Sequence, residues 1–138
     1  QYKYKMILFA SFLIGYNVWE EFVMCTGKGA NGKSTEMALL ETIFKDLCHP
    51  LAPGYYQRPD GDVSAPSSHL AVLRFMRLVT TQEPDSGWQI HCDKIKGITG
   101  KDFVVARQLY GNPEYYTPQF DPMIVANDVP DLEDKFSY

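Results

Sequence analysis

Apolar positions in this chain fall into short runs separated by polar or glycine-rich breaks. The longest run is Met6 to Ile14, nine residues with Ser11 as its polar member. It reads as a buried helix, Tyr4 to Gly15, with Gly15 as its stop. Phe22 to Thr26 is a shorter run, preceded by two carboxylates and followed by glycines, and bounded in that way it reads as a buried strand. From Lys33 to Leu47 the period changes. Met37, Leu40, Phe44 and Leu47 fall at spacings of 3, 4 and 3, one stripe of a helix that Cys48-His49-Pro50 ends. Leu51 to Ser67 is rich in proline and glycine and reads as a long surface loop. Ser67 or Ser68 then caps a short helix running through Leu73.

The second half repeats the alternation of strand and helix. Arg77 to Gln82 is β-branched and apolar enough for a strand, closed by Glu83-Pro84. Cys92 to Ile98 reads as a helix, Thr99 to Leu109 as a turn with extended arms, and Met123 to Ala126 as a third buried strand ending at Asn127-Asp128. Strands alternating with helices, with polar residues at strand carboxyl ends, predict an α/β fold with a parallel sheet flanked by helices. Residues 1–21 form a helical lead-in to a core over 22–130, and 131–138 are a tail.

Composition narrows the class. The chain has 138 residues, 45% of them apolar, which supports a buried core and excludes intrinsic disorder. The net charge of −4 excludes a broadly basic nucleic-acid-binding coat, so any DNA contact rests on a few placed cations. Three irregularly spaced cysteines point to an intracellular, reducing compartment rather than a disulfide framework. The run at Met6 to Ile14 falls well short of the roughly 20 residues a membrane span needs, so no membrane partner is expected. The chain starts at Gln1, as a fragment of something longer would.

The chemistry concentrates at Gly27 to Ser34. GKGANGKS fits G-x-x-x-x-G-K-S/T, the pattern of a phosphate-binding loop. Glycines let the backbone turn so that successive N–H groups point at one phosphate, and the helix N-terminus adds partial positive charge. Lys33 reaches the β- and γ-phosphates of ATP, and the Ser34 hydroxyl ligates Mg²⁺. Gly27, Gly29, Ala30, Asn31, Gly32 and Thr35 complete the nucleotide-binding set. A strand before the loop and an amphipathic helix after it supply the expected context.

Asn31 directly before Gly32-Lys33 makes the loop similar to that of the superfamily 3 helicases, viral and phage-satellite enzymes often joined to a primase. RLVTTQEP at Arg77 to Pro84 resembles the second motif of that family. KGITGKDFVVAR at Lys96 to Arg107 resembles its third motif, K-x-h-T-G-G-D-x-h-x-A-R with h apolar. FDPMIVANDVP at Phe120 to Pro130 resembles its fourth. Order and spacing both match, from about Leu8 to Pro130, and the nearest branch is the primase-helicases of large DNA viruses and related phages. The resemblance implies a P-loop ATPase of the AAA+ type.

It also implies ATP hydrolysis at subunit interfaces of a homo-hexamer and 3′–5′ movement along single-stranded DNA during viral or phage replication. A primase domain would lie upstream, and the host cytoplasm or nucleus would be the setting.

Residue roles follow motif by motif. Glu83, at a strand end, binds Mg²⁺ through water or takes a proton from the attacking water, and because Gln82 precedes it both tasks fall on one acid. Asp85 is a possible second acid. A solvated strand-end carboxylate is the plain alternative. Asn127 orients the lytic water and senses the γ-phosphate, against the alternative of an Asx-turn that merely closes the strand. Lys94, Lys96, Lys101 and Arg107 leave a net charge of +2 over Asp93–Arg107. In the family this region resembles a hairpin that grips DNA in the ring pore, which assigns DNA binding to Lys96, Lys101 and Arg107. Solvated surface lysines are the alternative.

Two other classes compete. A small-molecule kinase would want an arginine-rich lid, and this chain has four arginines, none after Arg107. A non-hydrolysing DNA-binding or assembly module would bind nucleotide without turnover. The family's arginine finger has no counterpart in the residues after Asn127.

Overall fold

A four-stranded parallel sheet forms the centre of the computed structural model, which describes residues 2–57, 67–82 and 88–133. Helix α1 (Tyr2–Ser11) leads to strand β1 (Val23–Thr26), helix α2 (Lys33–Phe44), a 3₁₀ turn at Lys45–Leu47 and strand β2 (Cys48–Pro50). Two one-turn helices follow, α3 (Gly54–Gln57) and α4 (Ser68–Ala71), then β3 (Leu78–Gln82), β4 (Gln89–His91) and α5 (Cys92–Thr99). The chain continues through β5 (Val104–Arg107), β6 (Pro113–Tyr116), β7 (Asp121–Ala126) and β8 (Asp131–Glu133).

The main sheet has the order β1-β7-β3-β2 with every pair parallel. Parallel strands need long crossovers, and α2 lies in the one that joins β1 to β2, the two edge strands of the sheet. Strand β4 pairs with β8 in parallel, and β5 with β6 as an antiparallel hairpin.

Alternation along the central strands divides the core into two layers. Leu78, Met123 and Val125 face α2, where they meet Met37, Leu40, Phe44 and Phe12. Val79, Ile124 and Ala126 face the opposite layer with Ile95, Ile98, Tyr56, Leu73 and Trp88. Of the helical stripe read from the sequence, Met37, Leu40 and Phe44 are buried, whereas Leu47 is exposed, because α2 ends at Phe44 and Leu47 falls in the 3₁₀ turn. Each such side chain contributes about 1.5–3 kcal/mol by leaving water.

Several sequence expectations change. Helix α1 is not buried: it contains no buried residue, it stops at Ser11, and Met6, Ile7, Leu13 and Ile14 are exposed. Its apolar residues are spread around the helix rather than aligned on one face, so only Leu8, Phe9 and the following Phe12 reach the core. Gly15 lies four residues beyond the helix, in a left-handed conformation at φ 89°.

Strand β1 is half-buried rather than buried because it is a sheet edge. Cys48-His49-Pro50 does more than end a helix: it forms β2. In the segment read as surface loop, Leu51 and Tyr56 are buried. Ser67 stands before α4 but makes no side-chain cap; its hydroxyl instead accepts the Arg107 N–H at 2.9 Å. The span Thr99–Leu109, expected as one turn with two arms, contains the end of α5, a turn and all of β5, while the hairpin's own turn lies between Arg107 and Pro113. Among the described residues no helix is long and apolar enough to cross a membrane.

Candidate functional site

The loop Gly27–Gly32 leaves the carboxyl end of β1 and enters α2 at Lys33. Its backbone takes left-handed angles at Gly27 (φ 150°), Ala30 (φ 62°) and Gly32 (φ 83°). At Gly27 a Cβ would stand 2.5 Å from Asn31 Nδ2, so a side chain there would collide with the loop's own interior. Ala30 adopts a conformation that costs an L-residue on the order of 1–2 kcal/mol, a strain held at the tip of the loop. Around Gly29 and Gly32 no heavy atom lies within 4 Å of a would-be Cβ, which leaves bare backbone open on that side.

Lys33 turns back over this loop. Its ammonium donates to the Gly27 carbonyl and to Asn31 Oδ1 at 2.9 Å. Asn31 therefore acts as a strut: its carbonyl oxygen receives the lysine while its amide nitrogen fills the space that Gly27 leaves. The first helical bond of α2 runs from Glu36 N–H to the Gly32 carbonyl at 2.9 Å, so the N–H groups of Lys33, Ser34 and Thr35 precede it and have no partner within the helix. Ser34 and Thr35 are exposed at the same helix end. One ammonium, unpaired helix-end amides, two hydroxyls and an uncluttered glycine backbone are a donor set that fits a polyphosphate.

Other elements converge on this edge of the sheet. Thr26 pairs in register with Ala126, so Gly27 and Asn127 leave adjacent strands side by side. Asn127 is exposed in the bend that follows β7. Gln82, the last residue of β3, pairs with Val125, so β3 also ends at this edge. Glu83, expected to supply the acid, lies outside the described residues, as does Asp85. Lys5 of α1 reaches Glu36 at 2.5 Å, and burial, with the charge of Glu36, pushes the Cys25 thiol up from its ordinary value.

The cations assigned to DNA stand on three different elements. Lys96 is exposed on α5. Lys101 lies in the turn before β5, not at the hairpin tip, and pairs with Glu20 at 3.0 Å. Arg107 ends β5 and donates through Nε to the Gly111 carbonyl at 3.2 Å, bracing the hairpin turn. The tip itself carries Leu109 and Tyr110, the latter 96% exposed. Tyr116 and Phe120 are buried, whereas Tyr115 is exposed.

Sequence reasoning missed two buried hydroxyls in β3. Thr80 donates to Glu41 Oε1 at 3.0 Å, and Thr81 donates to the Leu51 carbonyl at 2.8 Å. The available signal was a pair of threonines at the centre of an otherwise apolar strand.

No protein-family model matches the chain. In sequence it is 34% identical over 131 residues to a protein of Acanthamoeba polyphaga mimivirus named "Putative helicase L207/L206", a match that takes in 95% of this chain and 14% of that protein. In structure it resembles the A form of the apo NrS-1 C-terminal region, with a TM-score of 0.66 at 14% identity over 97% of this chain and 31% of that one. A further apo structure of the same region gives a TM-score of 0.63 at 14% identity, over 99% of this chain and 33% of that one. The chain thus has the α/β fold of part of the NrS-1 C-terminal region and is similar, along nearly its whole length, to a stretch of a viral protein that carries a helicase name.

Proposed function

We propose that this chain is the ATPase core of a superfamily 3 DNA helicase, a P-loop fold of the AAA+ type that hydrolyses ATP to move along single-stranded DNA. The observation that carries the reading is the loop between β1 and α2, where Lys33 is held over the Gly27 carbonyl by Asn31. The helicase name of the viral relative supports the same reading.

In this reading the backbone of Gly27, Gly29, Ala30, Asn31 and Gly32 wraps the phosphates, and Lys33 leaves the Gly27 carbonyl to pair with the β- and γ-phosphate oxygens. Thr35 adds a hydroxyl at the helix end. Ser34, with Glu83 through water, would hold Mg²⁺, which when bound neutralises charge along the phosphate chain. Glu83 accepts a proton from the water that attacks the γ-phosphorus, and Asn127 orients that water. Lys96, Lys101 and Arg107 are the proposed contacts to single-stranded DNA, arranged around a homo-hexameric ring. An upstream primase domain, viral or phage replication and an intracellular setting belong to the same proposal.

The test is ATP binding and turnover in the intact protein. Lys33→Ala is expected to lose turnover and most nucleotide affinity. Glu83→Gln is expected to bind ATP and fail to hydrolyse it, because an amide accepts no proton from water. Parent-level affinity and rate in Lys33→Ala would end the phosphate-loop reading. Nucleotide binding without turnover in the unmutated protein would favour a non-hydrolysing module.

A further inference from the structure

Strand β3 runs between β7 and β2 at the centre of the sheet, and its first four residues are buried. Valine is nearly isosteric with threonine and needs no hydrogen bond there, yet the strand reads Leu78-Val79-Thr80-Thr81. A buried hydroxyl is costly unless it is bonded. Both hydroxyls are bonded, and to opposite layers of the fold.

Thr80 and Thr81 are each 1% exposed. Thr80 points to the α2 side, like Leu78, and donates to Glu41 Oε1. Thr81 points to the other side, like Val79, and donates to the carbonyl of Leu51, the residue after β2. Backbone bonding continues the second tie, from Leu51 N–H to the Thr80 carbonyl at 2.8 Å. Glu41 sits on α2 two turns below Ser34. Its charge is also felt on β2: the Cys48 thiol is pushed up to about 11, first by burial and then by Glu41.

We infer that Thr80 and Glu41 are positioning residues that lock the phosphate-loop helix to the strand leading into Glu83, with Thr81 holding the opposite face of that strand. Two parts of the proposed ATPase must keep a fixed relation. One is the start of α2, which carries Lys33 and Ser34. The other is the carboxyl end of β3. Among the described residues, the Thr80–Glu41 hydrogen bond ties those two elements together directly through their side chains. Apolar packing of Met37, Leu40 and Phe44 with Leu78 in one cluster holds the two elements together but tolerates sliding, whereas a directional hydrogen bond fixes the register. Neither residue needs to touch nucleotide. The inference rests on the ATPase reading above.

The experiment compares steady-state ATP hydrolysis by the intact protein with that of Thr80→Val, Thr80→Ser, Glu41→Ala, Glu41→Gln, Thr42→Ala and Lys33→Ala. A misplacement of about 1 Å costs roughly a hundredfold in rate, so Thr80→Val and Glu41→Ala should lower kcat by about ten- to a hundredfold. KM for ATP should stay at its parent value, since the phosphate-contacting groups are intact. Thr80→Ser and Glu41→Gln keep a hydroxyl donor and a carbonyl acceptor and should restore most of kcat. Thr42→Ala removes a hydroxyl on the exposed side of the same helix, one that donates to the Ala38 carbonyl of its own helix, and should hydrolyse like the parent.

Parent-level kcat in Thr80→Val would overturn the inference. So would equal damage in Thr80→Val and Thr80→Ser, which would point to lost packing, and so would a rise in KM alone. These outcomes differ from failure of the ATPase reading itself. In that case the parent would not hydrolyse ATP, or Lys33→Ala would hydrolyse it normally.

Discussion

Two polar regions of the molecule are built in different ways. At the carboxyl end of the central sheet, the loop after β1 gathers its groups from one continuous stretch, Gly27 to Thr35. Backbone angles at Gly27, Ala30 and Gly32 bring Lys33 and Asn31 together within that stretch. Lys96, Lys101 and Arg107 are also close in sequence, yet they stand on three different elements, α5, the turn before β5 and β5 itself, and each side chain has its own surroundings. Lys101 is drawn to Glu20, which precedes β1, and Arg107 is built into the brace of the β5–β6 hairpin. A site made of backbone is encoded locally. A site made of long side chains depends on what the rest of the fold offers them.

The sharpest way to break this contrast is at the carboxyl end. Lys33→Ala should abolish ATP turnover there, as above. Gly27→Ala should come next. Its Cβ would enter the space filled by Asn31 Nδ2, at a φ of 150° that L-residues rarely adopt. A strain of about 1–3 kcal/mol predicts a loss of roughly ten- to a hundredfold in nucleotide affinity. Isothermal titration against the parent checks it. Unchanged affinity would mean that the loop opens when nucleotide binds and that its backbone does not encode the site.

A third prediction sharpens the picture of the other end. Asp121 begins β7, and its carboxyl is pushed up to about 7, first by burial and then by the charge of Glu21. A carboxyl whose folded value lies above its unfolded one binds more protons folded than unfolded. Stability therefore falls as pH rises from about 4 to about 7, and stays low above that. Asp121→Asn should remove this slope and be the more stable protein above pH 7. Allowing for its partial exposure, the gain is on the order of 1 kcal/mol, a few degrees in Tm. Thermal melts of both proteins at pH 5 and pH 8 give the comparison, and parallel shifts would place the pH dependence elsewhere.

The smallest effect is expected at the scattered cations. A phosphate contact to single-stranded DNA contributes roughly 0.7 to the slope of log affinity against log salt. Lys96→Ala should flatten that slope by about this amount per contact. Lys101→Ala should change it less, because Lys101 already faces Glu20. Salt titrations of single-strand binding by the intact protein measure both. Equal and full losses would mean that Lys101 releases Glu20 for DNA, and no loss in either would move the grip elsewhere.

By itself the sequence determined the elements with strong local causes. The stripe Met37, Leu40 and Phe44 produced α2, a β-branched run produced β3, a continuous apolar run produced most of β7, and GKGANGKS specified the turn between β1 and α2. Tertiary structure alone decided the rest. Strand β2 is Cys-His-Pro, with no propensity of its own, and exists because β3 offers it a partner edge. The apolar residues of α1 look like core on composition, but burial needs a surface to pack against, and most of that helix has none among the described residues. The threonines of β3 show the limit most clearly. Their type could be read in the chain, but whether a buried hydroxyl is a cost or a tie depends on its partner, and Glu41 and Leu51 lie 39 and 30 residues away.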